Sequence, residues 1–172
     1  MMDTKEQILD HAERAMRLRG YHAVSFRDLA DELGIKSASI HYHFRHKHDL
    51  GAAVVERYSG KVAATLGSQG ALKRPKAVAK FCDVYVTALK GQGLQCLCSM
   101  LSAESRGLPE SVATPVAGFF QSNLSWLQAS GLSEQQALQI QATLQGAMSM
   151  AVALNQTDIL ESLVQEIKTT YA

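Results

Sequence analysis

The side chains best suited to chemistry crowd into one stretch, SFRDLADELGIKSASIHYHFRHKHDL, residues 25–50. Ser37, His41 and Tyr42 offer hydrogen-bond donors to base edges or phosphate oxygens, Lys47 adds a cation just beyond them, and Ala38 leaves room for a close approach. His41, His43, His46 and His48, with Asp49, also have the spacing of a zinc or nickel cluster, but a cation there competes with phosphate contact, and no metal is assigned. Cys96 and Cys98 form a C-x-C pair in an apolar run, without the C-x-x-C redox arrangement, and read first as small buried hydrophobes. No Ser/His/Asp constellation, phosphate-cradling glycine loop or paired catalytic carboxylates stand out, so binding is expected rather than catalysis, with no cofactor. The competing class is a small all-helical thiol-dependent redox enzyme, told apart by turnover of a dithiol and indifference to DNA.

Two short helices must hold the first stretch in place. Ser25 followed three residues later by Asp28 is a capping-box-like start, Phe26, Leu29, Ala30 and Leu33 make one apolar stripe, and Gly34 supplies the left-handed residue that ends the helix. In the next helix, at 100° per residue, Ile40 and Phe44 share a face while Ala38 and Tyr42 lie nearly opposite. This is a helix-turn-helix pattern, although HYHF also suits a polar helix end in an unrelated bundle. Upstream, Ile8, Leu9, Ala12, Ala15 and Met16 stripe a first helix running from near Thr4 to Gly20, which completes a three-helix head.

The run from Gly34 to Phe44, followed by Lys47 and Leu50, resembles the recognition segment of the TetR family of transcriptional regulators, Gly-Val-Ser-Lys-Gly-Thr-Leu-Tyr-Tyr-His-Phe with Lys and Leu at the same later spacing. Similarity reaches back through Arg19-Gly20-Tyr21 and covers roughly the first 50 residues. Two departures stand out: Lys36-Ser37 occupies the place of Ser-Lys, and His41 replaces the first tyrosine of the pair. Position by position, the resemblance implies phosphate or base contacts from Lys36, Ser37, Ala38, His41, Tyr42, His43 and Lys47, with Ser25 and Arg27 touching the DNA backbone from the preceding helix.

It further implies an all-α chain with an N-terminal three-helix helix-turn-helix DNA-binding domain at residues 1–50 and a C-terminal helical ligand-binding and dimerisation domain at residues 51–172. The implied function is that of a homodimeric repressor on a palindromic operator, released by a small-molecule inducer. Two recognition helices about 34 Å apart reach successive major grooves and read such a palindrome.

Composition alone does not announce this. The net charge is +1 and acidic and basic residues balance over the first 60 residues, so any electrostatic footprint is local: Lys36, Arg45 and Lys47 face Asp49 alone between Gly34 and Leu50. All six histidines lie before residue 49, which predicts tighter nonspecific DNA binding at about pH 6 than at about pH 8. MMDTKEQ lacks the basic and apolar regions of a secretory signal, no span is apolar enough for a membrane, and three cysteines make an odd count; a cytoplasmic location is expected.

Beyond the head, the pattern predicts a helix from Asp49 to about Leu66, a break at GSQGALKRPK, a helix from Pro75 to Lys90, an apolar run from Leu94 to about Ser105, and a helix from Val116 to Leu127 with Pro115 at its start or at a kink. Ser133 with Gln136 opens a pattern to Leu154, and Thr157 or Asp158 caps a last helix striped by Ile159, Leu160, Leu163, Val164 and Ile167. These last two helices form the dimer interface implied by the resemblance, or bury themselves within one chain. Phe119, Phe120 and Trp126 read as core or as ligand lining, and the candidate ligand set is Phe81, Tyr85, Cys96, Met100, Phe119, Phe120 and Trp126. GLQCLCSMLSAES is similar to a segment in the TetR branch that contains electrophile- and quinone-responsive repressors, which implies a sensing role for Cys96.

Overall fold

The computed structural model describes residues 3–171, and the described residues form nine α-helices and no strand. None of these helices is long and apolar enough to cross a membrane. The chain divides into two compact units.

The first unit comprises residues up to Gly60 together with Leu97–Gly118. Its head is α1 (Thr4–Arg19), α2 (Phe26–Leu33) and α3 (Ser37–His43), followed by α4 (Lys47–Leu66). Ile8, Ala12 and Met16 of α1, Leu29 of α2, Ile40 of α3 and Leu50 of α4 are all fully buried, so the stripes read from the sequence meet in one core. Ser25 Oγ accepts the Asp28 N–H at 3.1 Å, and Gly34 ends α2 at φ 66°, ψ 29°. α4 starts at Lys47, ahead of the expected Asp49, because the Asp49 carboxylate reaches back to accept the His46 N–H at 2.8 Å. An ionic hub joins α4 to α1: Arg57 donates to Glu6 at 2.9 Å, Asp10 at 2.7 Å and Glu13 at 3.2 Å. Burial opposes the Arg57 charge, but the bonds to Glu6 and Asp10 and the charges of Asp10 and Glu13 outweigh it and shift the guanidinium pKa up. α6 (Leu97–Ser102) packs on α1 and is shorter than the apolar run suggests, since Leu94–Cys96 is not helical and turns follow Ser102.

The second unit comprises Lys61–Cys96 and the chain from Phe119 onward. It contains α5 (Arg74–Gln92), α8 (Glu134–Leu154) and α9 (Asp158–Thr170), with the later part of α7 (Glu110–Gln128). α8 packs on α9, and both contact α5. Phe81, Leu127, Ile140, Leu144 and Leu160 are buried in its core. Ser133 and Gln136 form a complete capping box at the start of α8, whereas Thr157 precedes α9 without a side-chain cap bond. α7 begins at Glu110, five residues before Pro115, so the proline lies inside the helix, where it removes one donor without ending it.

Candidate nucleic-acid interface

α3 turns Ile40 into the core and leaves its other side open. Ser37, Ala38, His41 and Tyr42 are exposed along this short helix, with Lys36 exposed just before it, and Tyr42 retains 85% of its surface. The His41 ring packs edge-on against Phe26 of α2 at 4.8 Å, and Tyr42 against the half-buried His43 at 5.1 Å, so these rings are braced at the surface. Arg27 is exposed on α2. Ser25 and Lys47 have internal work: Ser25 caps α2, and Lys47 Nζ donates to His22 O at 3.0 Å and lies 4.6 Å from the Tyr21 ring centroid. His46 and His48 stack on each other at 5.1 Å, with His48 Nε2 3.4 Å from Asp49. This geometry presents a narrow helix with a small residue, a phenol, an imidazole and a cation, the dimensions and donors that a major groove admits.

In the second unit, Phe81 gathers two of the other candidate ligand residues, with Tyr85 at 5.5 Å and Trp126 stacked at 6.1 Å. Trp126 Nε1 donates to Gly67 O at 2.9 Å. Gln145 Nε2 lies 2.9 Å from the Tyr85 hydroxyl and 3.8 Å from Cys96 Sγ, which connects the thiol to this cluster. Phe119 and Phe120 pack on one another at 5.4 Å, and the half-buried Met100 belongs to the first unit. Cys82, Cys96 and Cys98 are all free and buried, and burial pushes the Cys82 thiol up to about 11. Sequence reasoning missed the amides. Gln141 and Asn123 are buried, with both side-chain polar atoms of Gln141 and Nδ2 of Asn123 lacking a protein partner. The signal was present as Gln141, Gln145 and Ser149 at i, i+4 and i+8, a polar row along one line of α8.

A helix-turn-helix head with an open second helix, followed by further helices, defines a DNA-binding regulator. The family model described as "Bacterial regulatory proteins, tetR family" matches residues 8–54. A TetR transcriptional regulator from Legionella pneumophila is 32% identical, with a TM-score of 0.89 over 100% of this chain and 99% of that one. The chain belongs to the TetR family of transcriptional regulators. The same fold recurs in a TetR-family regulator from Agrobacterium tumefaciens, at 24% identity and TM-score 0.86 over 98% of this chain and 97% of that one. It recurs again in the reduced form of NemR from E. coli, at 24% identity and TM-score 0.78 over 99% and 98%. No curated protein matches the chain.

Proposed function

We propose that this chain is a homodimeric transcriptional repressor that reads a palindromic operator with α3 and leaves it when a small molecule binds the second unit. The observation that carries this reading is the division of α3, with Ile40 fully buried beneath a Tyr42 that is almost fully exposed. A bare phenol on a surface helix is a poor choice for a monomer's solvent face and a good one for a groove. Contacts come from Lys36, Ser37, Ala38, His41, Tyr42 and His43, with Arg27 on the DNA backbone.

Dimerisation is supported by α8, where Leu138, Ala142, Gly146, Met150 and Leu154 are all exposed at four-residue spacing. A ligand-responsive role is supported by the buried amide atoms without a partner, both of Gln141 and Nδ2 of Asn123, because a bound molecule recovers the cost of desolvating them. The amides and the Phe81, Tyr85 and Trp126 rings carry no formal charge, which suits a neutral inducer with hydrogen-bonding groups. Thiol sensing at Cys96 requires the site to open first, since only 2% of that residue is exposed. If a quinone or aldehyde acts through this thiol, Cys96→Ser keeps its DNA on treatment; if the inducer acts non-covalently, Cys96→Ser still releases. The buried cysteines offer no accessible nucleophile for the thiol-enzyme reading. A chromosomal operator places the protein in the cytoplasm.

The test is selection of duplexes from a random pool by wild type and by Tyr42→Ala at one fixed salt concentration. Enrichment of a two-fold-symmetric sequence by wild type and its loss in the variant is expected. No enrichment by a folded wild-type protein would refute the reading.

A further inference from the structure

Several close approaches converge on the turn between α1 and α2, all inside the first unit. Glu104, just past α6, accepts the Tyr21 N–H at 2.7 Å. Its carboxylate lies over Gly20, where an added Cβ would fall 2.8 Å from Glu104 Cδ and where φ is 82°. At Gly107 a Cβ would come 3.1 Å from His22 Nε2, and at Gly51 on α4 it would come 2.8 Å from the Tyr21 ring and 3.0 Å from Val112. The turn is therefore gripped from two sides, by the segment after α6 and by α4.

Lys47 belongs to this joint. Its ammonium donates to the His22 carbonyl and lies over the Tyr21 ring, so the side chain folds back on the same turn that Glu104 holds. Burial lowers the Lys47 pKa, and the Glu104 charge works against that shift. A phosphate-binding lysine is ordinarily a hydrated, swinging point charge; this one has a carbonyl and a ring face within the protein.

We propose that Glu104 and Lys47 are positioning residues for DNA recognition: together they fix the Gly20–Tyr21–His22 turn, and Lys47 supports DNA binding through the shape of the head and not through a phosphate. The inference rests on the DNA-binding reading and departs from the contact set implied by resemblance. It also assigns Glu104, far from α3 in the sequence, a part in recognition.

The test uses the full chain, a labelled random-sequence duplex and fluorescence anisotropy across a salt series, with circular dichroism to normalise each titration to folded protein. Lys47→Ala is expected to weaken binding about tenfold, the loss of one charge-assisted bond, while the slope of log K against log salt stays that of wild type. Glu104→Ala gives the same parallel loss. Glu104→Gln, which keeps an acceptor for the Tyr21 N–H and gives a folded comparison, recovers most of the affinity. A Lys47→Ala slope flattened by about 0.9 per head would show a phosphate contact and overturn the proposal. Wild-type affinity in folded Glu104→Ala would overturn it equally. A wild type that binds no duplex would instead refute the DNA-binding reading, and this inference with it.

Discussion

Gly20→Ala isolates the joint in one substitution. At φ 82° and ψ 171° the residue occupies a region essentially reserved for glycine, and imposing an alanine there costs about 1–3 kcal/mol. The new methyl also falls against the Glu104 carboxylate, so the bond from Tyr21 N–H at 2.7 Å must break or rotate away. Losing a hydrogen bond to a charged, half-buried group adds about 1.5–3 kcal/mol. The total is about 2.5–6 kcal/mol if the turn does not relax, a large share of a small domain's stability. Urea denaturation of wild type, Gly20→Ala, Glu104→Ala and the double variant measures both parts. In the Glu104→Ala background the steric part is already gone, so Gly20→Ala should cost only the backbone strain of about 1–3 kcal/mol. Equal costs in the two backgrounds would refute the assignment of Glu104 to the space above Gly20, and a cost below about 1 kcal/mol in wild type would refute the strain argument.

Arg57→Met leaves Glu6, Asp10 and Glu13 without their shared cation, and a loss of about 2 kcal/mol is expected in thermal melts, discounted because Glu6 and Asp10 are substantially exposed. Trp126 is the chain's only tryptophan and stacks on Phe81, so an inducer entering this cluster should change its emission, whereas DNA alone should not; a ligand that releases DNA without altering the emission would place the inducer site elsewhere. The raised Cys82 pKa means that the native state holds this proton more tightly than the unfolded chain. Its contribution is complete below the unfolded value of 9.0 and is lost as pH rises toward about 11, so replacing Cys82 with alanine should flatten the fall of stability across that window.

Local chemistry made the head legible. Ser25, Gly34, and Ser133 with Gln136 act on backbone groups within a few residues and appear in the structure where the spacing places them, although at Ser25 only the hydroxyl half of the expected box forms and the Asp28 carboxylate does not return the bond. The division of α3 followed from helical periodicity because one buried isoleucine, Ile40, fixes the orientation of a short helix. Contacts between distant segments left no such trace. Glu104 is 83 residues from Tyr21, and Gln145 is 60 residues from Tyr85; a glutamate after α6 and a glutamine in α8 read as solvated polar residues until the packing brings their partners to them. Lys47 shows the remaining difficulty, since a motif gives the residue its position in the sequence while tertiary contacts decide where its ammonium points.

Binding to the selected duplex and to the same duplex with one half-site scrambled, by wild type at a fixed physiological salt concentration, tests the central claim most directly. A two-headed reader should lose at least about 100-fold in affinity when one half-site is scrambled, because several mismatched positions each cost about 1–3 kcal/mol. Equal affinities for the two duplexes would mean that the protein holds DNA by charge alone, and would contradict the account of this chain as an operator-reading dimer.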